Sequence, residues 1–205
     1  TKEEMIAKLH AHPWPVYKIK LARPDDIDIL RALRAFTSSP FRIDVNEGWT
    51  FEETKAILPE LQQLNVTIVE QPLPKGEYEA MKELKAISPI PLYADESCKT
   101  EDEVKKCADS FHGINIKLTK CGGITPALRM IKEARTLGLR VMMGSMNESS
   151  IGSAAIVNML PLLDEADADG PLLLKEDVGV GLKYDNGVMG LSGANGLGVK
   201  FTGKQ

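Results

Sequence analysis

The 205 residues contain no apolar run approaching the roughly 20 needed to span a bilayer. The amino-terminal stretch TKEEMIAKLH is charged and helix-like, and it lacks the apolar centre of a secretory signal. There is no excess of basic charge: 25 Lys and Arg face 29 Asp and Glu, a net charge of -4. No positive field therefore points to nucleic acid. Cysteine is scarce. Cys98, Cys107 and Cys121 are odd in number and lack metal-ligand spacing, which reads as reduced thiols in a cytoplasmic protein. What is present is a chain with 43% hydrophobic residues, enough for one sizeable core. It opens at Thr1 inside a helix pattern, without an initiator Met, so further chain is expected upstream.

Short strand-like runs alternate with longer helical patterns. The strands are expected at VYKIKL (16–21), FRIDVN (41–46), VTIVEQ (66–71), PLYADE (91–96), GINIKL (113–118), RVMMGS (140–145) and DEADAD (164–169). The last is polar and is placed by rhythm alone. Helix patterns cover 2–10, 25–36, 51–64, 76–87, 101–109, 124–136 and 150–161. Thr50 with Glu53, and the TEDE beginning at Thr100, have the form of capping boxes. Alternating β and α with short loops argues for an α/β parallel sheet.

A polar residue stands near the end of each strand: Lys20, Asp44, Glu70, Asp95, Lys117, Ser145 and Asp169, spaced 22 to 28 residues apart. A doubly wound sheet gathers ligand groups mainly at one switch point. A TIM-type barrel delivers every strand's C-terminal end to one central site, and the spacing favours it. Seven strands leave such a barrel incomplete. Residues 1–171 are expected to form a partial (β/α) catalytic domain. Residues 172–205 break the rhythm as a Gly-rich C-terminal segment whose YDNGV marks a hairpin turn.

Asp44, Glu70 and Asp95 each close an apolar strand. Singly, each could cap a helix or pair with a local lysine. On three neighbouring strands at one height they repel, and a bound cation resolves the repulsion. An all-oxygen donor set suits Mg²⁺. Lys20 lies one strand before the trio and Lys117 one strand after it. A carboxylate substrate held on the metal would present its α-carbon to both amines. One lysine would remove the α-proton to give a metal-stabilised enediolate, and the other would return a proton to the opposite face. Lys18 shares the face of Lys20, since residues i and i+2 of a strand point the same way. Its like charge is expected to lower the pKa of Lys20.

The series KIK, DVN, EQP, ADES, NIKLTKCGG, GSMNESSIG and DADGP resembles the muconate-lactonizing subgroup of the enolase superfamily, from about Val16 to Lys175. That resemblance implies a modified (β/α)7β barrel, here without its first strand and without the N-terminal α+β capping domain. It implies one Mg²⁺ on Asp44, Glu70 and Asp95, with Lys20 and Lys117 as the catalytic pair. Asp167 and Asp169, the Asp-x-Asp of DADGP, are similar to the dipeptide epimerase pattern, in which the pair binds a free α-ammonium; two acceptors on one face complement a cation. Ser145 and Glu148 are candidates to line the pocket, with helix capping the alternative for Ser145.

The function implied is Mg²⁺-dependent epimerisation of dipeptides, on L-Ala-D/L-Glu-like substrates of peptidoglycan turnover. The alternatives of the same superfamily are a muconate cycloisomerase, an o-succinylbenzoate synthase and an N-succinylamino acid racemase. The alternative of another class is a non-catalytic barrel fragment. The expected partner is a small dipeptide, with no nucleic acid and no membrane, and the chain is compatible with a homo-oligomer.

Overall fold

The computed structural model describes residues 1–203. Its elements run α1 (Lys2–Ala11), β1 (Tyr17–Lys20), α2 (Ile27–Arg34), β2 (Phe41–Asp44), α3 (Phe51–Gln63), β3 (Val66–Glu70), α4 (Tyr78–Ile87) and β4 (Leu92–Ala94). There follow α5 (Glu101–Cys107), β5 (Gly113–Ile116), α6 (Leu118–Cys121), α7 (Ile124–Thr136), β6 (Arg140–Met143), α8 (Ser150–Met159) and β7 (Glu165–Ala166). The short strands β8 (Gly179–Val180), β9 (Lys183–Asp185), β10 (Val188–Gly190) and β11 (Lys200–Phe201) complete the order. Every strand expected from the sequence is present, trimmed at its ends. The strand expected over 164–169 is only two residues long, so Asp167 and Asp169 lie beyond it. An acidic run offers little apolar surface for a sheet to bury.

The chain forms two compact units, Thr1–Ser97 with Lys106–Gly113, and Cys98–Lys105 with the chain from Ile114 onward. In the first, β1 to β4 lie side by side in chain order, all parallel. Their apolar residues are mostly buried, among them Phe41, Ile43, Val66, Ile68, Val69, Leu92 and Tyr93, as expected of a parallel sheet covered on both faces. Helix α3 begins at Thr50, whose hydroxyl accepts from the Glu53 amide while the Glu53 carboxylate accepts from the Thr50 amide. It buries Thr54, Ile57, Leu58 and Leu61, one stripe at helical spacing. Gly48, in the turn before it, is required by close approach: a Cβ there would stand 2.4 Å from the Ala22 carbonyl oxygen.

In the second unit β6 and β7 pair in parallel, with Met142 opposite Glu165 and Met143 opposite Ala166. The Gly144 amide donates to the Ile116 carbonyl at 3.0 Å, which brings the end of β5 to the end of β6. Helix α8 is apolar on most sides and buries Ala154, Ala155, Ile156, Val157 and Met159. Its N-cap Ser149 makes no side-chain cap hydrogen bond. Asp177 supplies that function from outside the helix: its carboxylate accepts from the Ser150 amide at 2.9 Å, the Ser150 hydroxyl at 2.7 Å and the Gly179 amide at 3.0 Å. The YDNGV turn is a hairpin between β9 and β10, with Asn186 and Gly187 at φ 44 and 82, as a two-residue type I′ turn requires. Among the described residues no helix is long and apolar enough to cross a membrane.

Burial would raise the Asp177 pKa, but the hydrogen bonds from Ser150 and Gly179 outweigh it and leave the pKa lowered. A lowered native pKa contributes stability that is present at neutral pH and lost as acid protonates the group. Asp177→Ala is expected to reduce stability by about 1 kcal/mol at pH 7. Thermal unfolding of both forms across an acid titration should show the difference shrinking as the carboxylate takes up its proton.

Candidate active site

In the first unit, Asp44 and Glu70 end β2 and β3 and are direct Cα partners across the ladder. Asp95 follows the end of β4, where the partner of Glu70 is Tyr93. Asp44 and Glu70 are therefore level in the ladder, and Asp95 stands two residues beyond the ladder partner of Glu70. Tilted parallel strands are staggered against one another, so equal positions in the repeat need not be equal heights. All three side chains are buried, Asp44 at 1%, Glu70 at 1% and Asp95 at 0% relative exposure.

Three buried anions are costly unless compensated. Here lysine compensates. The Lys18 ammonium lies 2.9 Å from Glu70 Oε2 and 3.5 Å from Asp44 Oδ2, and the Lys20 ammonium lies 3.3 Å from the same Asp44 oxygen. The two lysines share a face but not an environment, since the Lys18 side chain is 21% exposed and that of Lys20 71%. Burial pushes the Glu70 carboxyl up to about 7, the Lys18 charge opposes the rise, and the charges of Asp44 and Asp95 add to it.

Among the described residues, no three His, Cys, Asp or Glu side chains are already grouped as metal ligands. The Lys18 ammonium lies between two of the candidates instead. The donor chemistry nevertheless fits a hard divalent cation: oxygens only, anionic and buried, with Asp44 Oδ2 making no hydrogen bond.

Gln71 has a part in this cluster that the sequence did not signal. It is fully buried, with φ at 39. Its Oε1 accepts from the amides of Asp95 and Ser97, both at 3.1 Å. Its Nε2 donates to the Leu73 carbonyl at 2.8 Å and the Ser97 hydroxyl at 3.0 Å. Every hydrogen-bonding position of the amide is used, and the backbone at Asp95 is tied to the end of β3. A single Gln after a strand-end Glu is too weak a pattern to reveal such a tether.

In the second unit, Lys117 follows β5 and is 7% exposed. Asn115, two residues earlier, is fully buried. A Cβ at position 144 would stand 2.7 Å from both amide atoms of Asn115, so the start of the next loop must be glycine for that amide to fit.

The loop between β6 and α8 carries Ser145 and Glu148. Ser145 is half-buried, and the residue at the helix start is Ser149, so helix capping does not fall to Ser145. Both carboxylate oxygens of Glu148 are buried without a hydrogen-bond partner. A Cβ on Gly152 would meet its Cγ at 2.8 Å, and a Cβ on Gly170 would meet its backbone oxygen at 2.8 Å. The Glu148 backbone therefore lies against the turn that follows Asp169, and its side chain lies against Gly152.

Asp167 is half-buried and its amide donates to the Met143 carbonyl at 2.8 Å, while Asp169 is exposed at the start of a 3-10 turn. Between them the Ala168 carbonyl accepts from the Tyr184 hydroxyl of β9 at 2.9 Å. Burial pushes the Tyr184 pKa up to about 12, and the charges of Asp169 and Asp177 add to the rise. Tyr184 thus anchors the Asp-Ala-Asp stretch from the hairpin of the Gly-rich C-terminal segment.

The chain is 49% identical over 197 residues to an L-Ala-D/L-amino acid epimerase of Flavobacterium johnsoniae, covering 96% of this chain and 59% of that protein. The substrate-liganded complex of the L-Ala-D/L-Glu epimerase from Bacillus subtilis superposes with a TM-score of 0.90 at 30% identity, over 97% of this chain and 60% of that one. A dipeptide epimerase from Methylococcus capsulatus complexed with Mg ion gives a TM-score of 0.91 at 30% identity, over 97% of this chain and 62% of that one. The chain spans a little over half the length of the curated relatives it matches, 59% and 54% for two of them. The fold class is α/β, part of a TIM-type barrel. The family model described as enolase C-terminal domain-like matches residues 2–205, and the chain belongs to that family.

Proposed function

We propose that the protein containing this chain is a Mg²⁺-dependent dipeptide epimerase of the cytoplasm, acting on L-Ala-D/L-Glu-like dipeptides from peptidoglycan turnover. The observation that carries the reading is Glu148, whose carboxylate oxygens are both buried without a hydrogen-bond partner, in a loop whose backbone packs on Gly170, the residue after the Asp-Ala-Asp stretch. A buried anion without a partner calls for a cation. A free α-ammonium supplies one, whereas an N-acylated amino acid or a cyclic diacid does not. The relatives named as epimerases support the same reading.

In this proposal Asp167, Asp169 and Glu148 take the substrate ammonium, and Ser145 lines the same loop. Asp44, Glu70 and Asp95 would hold Mg²⁺, which supplies positive charge to offset the negative charge developing on the substrate carboxylate. Lys20 and Lys117 handle the proton. The amine of one takes the α-proton, so that the C–H bond breaks as an N–H bond forms. The ammonium of the other gives a proton to the opposite face, which inverts the carbon. Lys18, held by Glu70 and Asp44, contributes fixed positive charge beside them.

The intact protein incubated with L-Ala-L-Glu and Mg²⁺ in D₂O should lose the α-proton signal of the second residue and form L-Ala-D-Glu, by proton NMR. Chelation should stop the exchange and Mg²⁺ should restore it. Equal or faster exchange of N-acetyl or N-succinyl amino acids would overturn the assignment. Lys117→Ala is expected to lower kcat by roughly a hundredfold or more, and activity at the unmodified level would remove Lys117 from the mechanism. Glu148→Gln is expected to raise KM for the dipeptide by roughly tenfold or more, the worth of a charge-assisted hydrogen bond, with a smaller change in kcat. An unchanged KM would show that the ammonium does not meet this carboxylate.

A further inference from the structure

Lys20 has a long flexible stem and a side chain that is 71% exposed. A proton-transfer amine must nevertheless be held in place, because a misplacement of about 1 Å can cost a hundredfold in rate. Two protein groups meet its ammonium. One is Asp44 Oδ2 at 3.3 Å, an oxygen that the proposed cation would claim. The other is Asn46, whose Oδ1 accepts from the lysine at 3.1 Å. An amide oxygen accepts an N–H from lysine in either of its protonation states.

Asn46 is itself placed with unusual care for a residue on an exposed turn. Its φ is 47 and that of Glu47 is 66, two consecutive residues in the left-handed region. Such conformations persist only where the surroundings enforce them, and they gather at functional sites. The enforcement is visible. The Asn46 amide donates to Asp44 Oδ1 at 3.2 Å, and its side-chain Nδ2 lies 3.4 Å from Glu96 Oε1. The Glu47 amide donates to the Gln71 carbonyl at 2.9 Å, and the Glu47 carboxylate accepts from the Lys75 amide at 2.6 Å. Asn tolerates the left-handed region better than most residues do, because its short polar side chain bonds locally.

We infer that Asn46 is a positioning residue for Lys20: the left-handed turn after β2 exists to hold an amide oxygen against the lysine on its outer side. This rests on the two-lysine reading above. The inference goes further in making one of the two protonation faces depend on a side chain outside the metal-ligand and lysine set.

The test separates the faces. Asn46→Gly keeps the backbone conformation and the amide bonded to Asp44, and removes only the side chain. In the intact protein with Mg²⁺ in D₂O, α-proton exchange is followed separately from L-Ala-L-Glu and L-Ala-D-Glu. Exchange that depends on Lys20 should fall by roughly tenfold or more, with exchange from the other epimer, KM and the melting temperature nearly unchanged. Lys20→Ala, measured alongside, identifies which epimer depends on Lys20. Equal loss for both epimers, or no loss, in Asn46→Gly while Lys20→Ala is epimer-selective overturns the role of Asn46 and leaves the two-lysine reading intact. Lys20→Ala without epimer selectivity overturns the two-lysine reading and this inference with it.

Discussion

Buried negative charge is the constraint around which the first unit is arranged. Asp44, Glu70 and Asp95 are almost wholly out of water, and each is delivered by the end of a strand that has to be apolar to pack. An uncompensated carboxylate in such a place protonates or moves. The Lys18 ammonium between Glu70 and Asp44 is the protein's own answer, and it is a partial one, since Glu70 is still pushed up to about 7.

The loops after β2 and β3 hold that arrangement with their backbones. Gln71 uses all of its amide to tie the turn at Asp95 to the end of β3. Gly48 permits the close approach to the Ala22 carbonyl, and Asn46 and Glu47 accept left-handed conformations beside it. None of these residues adds apolar area to the core. Their contribution is to cut the freedom of the carboxylates and of Lys20, which is how a protein pre-organises a site before a ligand arrives. The second unit also buries negative charge. Both carboxylate oxygens of Glu148 are buried without a hydrogen-bond partner, its backbone lies against Gly170, and the Tyr184 hydroxyl anchors Ala168 from the hairpin.

Much of this was legible in the order of residue types. The alternation of apolar runs with helical stripes predicted the strands, because a parallel strand covered on both faces must be continuously apolar. Asp44, Glu70 and Asp95 stood out because they interrupt or follow such runs, and Lys18 and Lys20 because two lysines share one face of a strand. The hairpin was legible in Asn186–Gly187, which few other pairs can replace at positive φ.

Sequence by itself thus determined the repeat, the residues that close each strand and the chemical kinds gathered there, since these follow from local periodicity and side-chain type. Only the tertiary structure decided that Asp95 stands two residues beyond the ladder partner of Glu70, that Lys18 and not Lys20 sits between Asp44 and Glu70, that Gln71 and Asn46 belong with them, and that in the second unit the Tyr184 hydroxyl reaches the Ala168 carbonyl. Those facts depend on strand stagger and on which loops touch. Both are set by packing between segments some 25 residues apart in the chain, as Gln71 and Ser97 are, or Asn46 and Lys20, and no local pattern encodes such pairings.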